Sequence, residues 1–180
     1  MNWIWIFIRI TGLTAYVLLT LSVLAGIFRH IPRKKGPIIE FHQVIGQIAL
    51  LGTGVHAYLL FYDHYQPYSL KDVLVPFLSQ NDPVLTGIGT LSMYLLLVVI
   101  ITSDFMKAVG RKTWKKIHYL VFPLWLMALI HGFFLGTESG TIWAKSLYGG
   151  SLLIVFGATV YLVIRKKKTI SRPSAEKSIV

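Results

Sequence analysis

Cysteine is absent from the chain. That excludes a disulfide framework, a thiolate metal site and a cysteine nucleophile. Acid is scarce: seven aspartates and glutamates stand against 18 lysines and arginines. Charged residues of all kinds make up only 14% of the sequence. A soluble domain carries more charge than this on its surface. A nucleotide loop is missing as well. The GIG at 87–89 lies inside an apolar run rather than after a strand, so it is no dinucleotide fingerprint.

What is present is hydrophobic length. Hydrophobic residues make up 54% of the chain, and mean hydropathy is +0.64. A bilayer core of about 30 Å asks for roughly 20 apolar residues per helix. Five runs meet that length: 3–28, 39–62, 84–106, 117–136 and 146–164. The expected fold class is all-α, an integral membrane bundle of five transmembrane helices. One membrane domain is expected over 1–168, followed by a disordered polar tail over 169–180. The first run reads as a retained helix. It opens with MNWIW instead of a basic region, and basic RHIPRKK follows it in place of a cleavage site.

The net charge of +11 raises the question of nucleic acid, and its distribution argues against that partner. Arg29, Arg33, Lys34 and Lys35 follow the first run. Lys107, Arg111, Lys112, Lys115 and Lys116 separate the third from the fourth. Arg165 to Lys168, Arg172 and Lys177 follow the fifth. Fifteen of the 18 basic residues therefore share one side of the membrane, and the positive-inside rule makes that side cytoplasmic. The N-terminus is expected outside and the C-terminus inside, in a multi-pass protein of the cell membrane. Topology and contact with anionic lipid explain most of this charge. Docking of an acidic cytoplasmic partner is the functional alternative. On the outer side, YSLKDVLVPFLSQNDP has helical apolar spacing and predicts a short surface helix. Asn81-Asp82-Pro83 then starts the third span.

The second run holds His42 and His56, and the fourth holds His118 and His131. Both runs cross from inside to outside. His42 and His118 therefore share the inner level, and His56 and His131 the outer one. At 1.5 Å per residue the levels stand about 20 Å apart. Ionisable residues inside a membrane are costly and mark functional paths. Imidazole is also an axial ligand of haem iron. A histidine on each side of a macrocycle, at two depths, describes two stacked haems b. Fourteen residues return to within about 40° of the same helix face. Between the ligands that face reads Gly46, Ala49 and Thr53, small enough to admit a flat group. Close helix packing is the plainer reading of such a stripe. The fourth run fits less well, because thirteen residues miss the starting face by about 140°. Pro123 lies between its histidines and is expected to bend or re-phase the helix.

These residues carry a resemblance. GRKTWKKIHYLVFPLWLMALIHGF (110–133) and FHQVIGQIALLGTGVHAYLL (41–60) resemble the ferric reductase-like transmembrane domain. RITGLTAYVLLTLSVLAG, GTLSMYLLLVVIITSDFMKAVGRKTWKKIHY and GTESG are similar to stand-alone bacterial members. The family includes eukaryotic ferric reductases, NADPH oxidases and the haem subunit serving periplasmic methionine sulfoxide reductase. The resemblance covers roughly residues 5 to 165. It implies two b-type haems, ligated by His42 with His118 and by His56 with His131, and electron flow across the membrane. Oxidases and eukaryotic reductases add a cytoplasmic FAD- and NADPH-binding domain, and the stretch after Ile164 is too short for one. The expected donor is a separate cytoplasmic flavoprotein or a membrane quinol. Many members also have an extra helix before the first seen here. The sulfoxide reductase subunit departs from the four-histidine pattern, which sets this chain nearer the plain diheme layout.

Other residues have two readings each. Arg9 either pairs with a propionate of the outer haem or snorkels to the nearby surface. Trp125 lies between the ligands of its run. Packing is its plainer role, and assisting electron transfer between haems is the alternative. Glu40 reads as a helix-start charge, and His30 and His64 as ordinary surface histidines. Binding of external iron by His64 with Asp63 is the functional alternative there.

Three functional classes follow. A transmembrane oxidoreductase or electron-transfer component would pass electrons to external Fe(III) or a partner reductase. A haem-bearing anchor would serve a quinone-linked enzyme. A transporter would gather its histidines and carboxylates at one midplane site. The split of the histidines between two depths disfavours the third.

Overall fold

The computed structural model describes residues 3–29, 35–64 and 66–170. Eight α-helices form, and no strand occurs among the described residues. Five helices are long and apolar enough to cross a bilayer: Trp3–Phe28, Gly36–Tyr62, Pro83–Asp104, Arg111–Leu135 and Ile142–Arg165. The chain is a multi-pass membrane protein. In lipid every backbone polar group must be satisfied within the segment, which leaves a helix as the form for such runs.

The elements are α1 (Trp3–Phe28), α2 (Lys35–Leu59), α3 (Leu70–Leu74), α4 (Pro83–Asp104), α5 (Met106–Val109), α6 (Arg111–His118), α7 (Val121–Leu135) and α8 (Ile142–Ile170). A single 3-10 turn, Leu60–Tyr62, closes α2. Helix α1 packs along α2, and α4 packs along α6 and α7. Helix α8 lies against α1 and α7. Both main pairs are antiparallel: α1 meets α2 from Ile8 opposite His56 to Ser22 opposite His42. Close approach of α1 and α2 depends on small residues. A Cβ on Gly52 would already touch Ala15 at 3.4 Å.

The core runs down the middle of the bundle. Tyr16, Leu19 and Val23 of α1 meet Leu96 and Val99 of α4 and Leu124 and Trp125 of α7. Its polar groups are paired. The Trp125 indole donates to Thr20 Oγ1 at 2.9 Å, and Thr20 donates to the Tyr16 carbonyl at 2.9 Å. Tyr16 OH bonds Ser151 Oγ, which ties α8 to α1. Each such interhelical bond in lipid contributes about 0.6 kcal/mol on average.

The loop between α2 and α4 forms a short helix, as its apolar spacing predicts. Ser69 caps α3 in a capping box with Asp72, and the hydrogen bonds to Ser69 hold the Asp72 carboxyl below its usual range. Thr90 and Tyr94 of α4 pin this helix by donating to the Val73 and Leu74 carbonyls. Asp82 then takes a left-handed conformation and Pro83 opens α4. The tail expected to be disordered from Thr169 begins inside α8, which runs to Ile170. Residues 171–180 lie outside the described residues, as do His30, Arg33 and Lys34.

Candidate functional site

The four histidines meet in two pairs. His42 and His118 have ring centroids 5.8 Å apart. His56 and His131 have centroids 6.3 Å apart. The rings of each pair stand nearly perpendicular, at 77° and 81°. Helices α2 and α7 show no comparable backbone packing among the described residues, so the side chains span the gap between them.

Pro123 marks a break between α6 and α7, the two helices that carry His118 and His131. A proline has no N–H and its ring crowds the carbonyl four residues earlier. That carbonyl belongs to Tyr119. It accepts instead from Phe122 N, at 3.3 Å. Leu120 N likewise bonds Ile117 O, at 2.9 Å. These are three-residue steps, and Tyr119–Leu120 form a turn between α6 and α7. Each three-residue step turns the chain about 20° further than an α-helical one, so the interruption supplies part of the rotation that a straight helix lacks. It falls just before the proline, where the missing donor predicts it.

Three histidines sit in the same kind of seat. His56 Nδ1 bonds the Ile8 carbonyl at 2.9 Å, His42 Nδ1 the Ser22 carbonyl at 2.8 Å and His131 Nδ1 the Leu85 carbonyl at 2.9 Å. A carbonyl only accepts, so Nδ1 carries the proton in each and Nε2 keeps its lone pair. In each seat a glycine lies four residues beyond the carbonyl, where the ring presses on the helix. A Cβ would meet the ring at 2.9 Å on Gly12, 3.2 Å on Gly26 and 2.6 Å on Gly89. The seats on α1 repeat after fourteen residues, Ile8/Gly12 and Ser22/Gly26, matching the spacing of His42 and His56.

The fourth seat departs from this. Fourteen residues beyond Leu85/Gly89 come Val99 and Ser103. Ser103 Oγ donates to the Val99 carbonyl at 2.6 Å and lies 3.4 Å from His118 Nδ1. The Trp114 indole also donates to it, at 3.1 Å, and its ring lies over His118 with centroids 5.0 Å apart.

The other sequence candidates fall around these pairs. Ala49 is fully buried and Gly46 is buried against Ser22 and Ile100. Thr53 lines a cavity of about 480 Å³ with His56, His131, Tyr16 and Arg9. Arg9 stands at its mouth, ion-paired with Glu138 and lying over the Trp5 ring at 4.1 Å. Trp125 is buried in the core between the two levels, its ring 6.4 Å from Tyr16. Glu40 and His64 are exposed, whereas Asp63 is buried. Burial raises the nearby Tyr68 phenol above its usual value. Sequence reasoning missed Gly12, Gly26, Gly89, Ser22, Ser103 and Trp114. The fourteen-residue echo of Gly12 in Gly26 was the available signal.

The family model for the ferric reductase like transmembrane component matches residues 11–129. The chain belongs to this family. The match takes in His42, His56 and His118 and ends two residues before His131. The chain is also similar to proteins named protein-methionine-sulfoxide reductase heme-binding subunit MsrQ. That of Xanthomonas campestris pv. campestris (strain 8004) is 27% identical over 170 residues, covering 92% of this chain and 73% of the relative. That of Xanthomonas axonopodis pv. citri (strain 306) is 27% identical over 169 residues, covering 91% and 72%. No solved structure matches the chain. The relatives are thus of the haem-subunit kind from which the four-histidine pattern set this chain apart.

Proposed function

We propose that this ferric reductase-like protein holds two b-type haems and conducts electrons across the membrane. His42 and His118 would hold the inner haem, and His56 and His131 the outer one. The observation that carries this is the geometry repeated at two depths. Two imidazoles that shared one metal through Nε2, at about the 2 Å usual for a metal–imidazole bond, would hold their ring centroids roughly 6 Å apart. The pairs stand at 5.8 and 6.3 Å. Ligating histidines fix their orientation by donating the other N–H to a carbonyl or similar acceptor, and the three carbonyl seats do this. A bare metal ion wants three or four protein ligands, and no such group of His, Cys, Asp or Glu occurs among the described residues. A macrocycle that brings its own four nitrogens needs only the two found at each level. The haem in the relatives' names supports the same reading.

Bound there, iron porphyrin supplies a one-electron centre at each depth. The chain contributes orientation and insulation. Its carbonyls lock the histidine tautomers, its glycines let the rings press against α1 and α4, and the apolar bundle excludes water. The basic residues at the ends of the spans support a cytoplasmic side for α6. A separate acidic flavoprotein would dock there, at a rate that falls with salt. The external acceptor would be Fe(III) or a partner reductase, the latter in keeping with the relatives' name. The Arg9–Glu138 pair stands at the outer mouth, where arginine would exchange a protein carboxylate for a propionate.

One observation favours a quinol donor as a second reading. A lipid-facing groove of about 530 Å³ between α2 and α4 is lined by Leu51, Gly54, Tyr58 and Met93. Met93 also lines the outer cavity. Quinol would then enter beside the outer level.

Haem content and direction test the proposal together. The purified chain is expected to hold two low-spin haems b. Vesicles carrying reductant and flavoprotein inside are expected to reduce an impermeant Fe(III) complex outside. A folded, active chain free of iron would overturn the reading. Reduction by quinol at a rate indifferent to flavoprotein would favour the groove.

A further inference from the structure

Resting on that reading, we infer that Ser103 is a positioning residue that sets the potential of the inner haem through His118. At the other three histidines a backbone carbonyl takes Nδ1–H directly, at 2.8 to 2.9 Å. At His118 the equivalent carbonyl, Val99, accepts from the Ser103 hydroxyl at 2.6 Å and from Thr102 Oγ1 at 3.2 Å. The Oγ hydrogen points to that carbonyl, so Oγ has only acceptor capacity left. It divides this between the Trp114 indole at 3.1 Å and His118 Nδ1 at 3.4 Å. The imidazole N–H therefore meets, at 3.4 Å, a hydroxyl shared with the Trp114 indole, where the other three meet a backbone carbonyl at 2.8 to 2.9 Å.

The consequence follows from ligand basicity. A strong acceptor at Nδ1–H pushes electron density onto Nε2 and favours the ferric state. A weak, shared acceptor does so less, which raises the potential of the inner site. The device is also coupled to the surface. Trp114 belongs to α6, whose Arg111, Lys112, Lys115 and Lys116 are exposed. A shift of α6 on docking would alter how Ser103 divides its acceptor capacity.

The test is a spectroelectrochemical titration of the full, haem-loaded chain, with EPR of the ferric state. Loss of a signal in His118→Ala assigns the inner haem. Ser103→Ala removes the acceptor and is expected to raise the inner potential only. Ser103→Gly recreates the carbonyl–glycine seat and is expected to lower it. Trp114→Phe keeps the ring but removes the competing donor, and is expected to lower it by less. Ser103→Thr keeps the hydroxyl and is expected to retain the wild-type value. Each variant provides its own reading if another misfolds. Inner potential and EPR signal unmoved in the Ala and Gly variants would overturn the inference. Equal movement of the outer haem would do the same. A chain without haem would overturn this inference together with the function proposed above, whereas two unmoved haems would sink this inference alone.

Discussion

At the far level both histidines rest in carbonyl–glycine seats, His56 on Ile8/Gly12 and His131 on Leu85/Gly89. At the basic level one does, His42 on Ser22/Gly26, and its partner rests on a serine hydroxyl. The helical register is the same in all four places. A single side chain, Ser103 in place of glycine, separates a histidine orientation fixed by backbone from one open to adjustment. Backbone acceptors belong to the helix ladder and cannot rotate away. A hydroxyl rotates at little cost. The bundle therefore has one rigid level and one tunable level, and the tunable one lies beneath the basic surface of α6.

Removing a ligand has the largest expected effect. His56→Ala or His131→Ala is expected to cut haem from two per chain to one, with loss at the far level. His42→Ala or His118→Ala is expected to cost the basic-level haem instead. A haemochrome assay counts the haems, and a redox titration shows which remains. Identical residual spectra and potentials in His42→Ala and His56→Ala would collapse the two levels into one.

How much of this comparison was legible in the sequence depends on the periodicity involved. The five spans were plain, because bilayer thickness imposes a run length that few other constraints mimic. Pairing of His42 with His118 and His56 with His131 followed from the order of crossings alone. The seats did not, because a backbone carbonyl has no signature in the residue that owns it. Ile8 and Leu85 are ordinary apolar residues until the fold sets a ring against them. The glycines were visible but ambiguous, since membrane helices use glycine for close packing as well. Gly46 drew attention as room for a flat macrocycle, with close packing as the plainer reading, and it faces Ser22 and Ile100. The phase problem between His118 and His131 was visible as a contradiction. The break at Tyr119, four residues before Pro123, accounts for part of it.

Filling the glycine seats has a graded effect. An alanine Cβ would meet the histidine ring at 2.6 Å on Gly89, 2.9 Å on Gly12 and 3.2 Å on Gly26. Overpacking of this kind typically costs about 1–3 kcal/mol. Gly89→Ala is expected to weaken haem retention most, then Gly12→Ala, both at the far level. Gly26→Ala is expected to do least, at the basic level. Gly157→Ala, with nothing within 4 Å, serves as control and is expected to be neutral or slightly stabilising, by up to about 1 kcal/mol of helix propensity. Melting of haem absorbance on heating measures the order. A reversed order, with Gly26→Ala the worst, would mean that the rings at the far level are free to yield.

The smallest expected effect comes from a serine at the same level as Ser103. Ser22 Oγ lies 3.0 Å from His42 Nδ1 and also donates to the His42 carbonyl at 3.1 Å. It resembles Ser103 in type, and both stand beside a histidine at the basic level. The difference is that His42 already has a backbone acceptor, the Ser22 carbonyl at 2.8 Å, which substitution leaves in place. The hydroxyl is a second acceptor there, whereas at His118 it is the acceptor itself. Ser22→Ala is therefore expected to leave the potential of the basic-level haem close to wild type. Some stability is expected to be lost with the helix-to-helix bond, about 0.6 kcal/mol on the average for such bonds in membranes. Redox titration of Ser22→Ala beside Ser103→Ala measures the contrast. Equal shifts in the two would show that any hydroxyl near the pair tunes it, and the distinction between backbone and side-chain seats would lose its force.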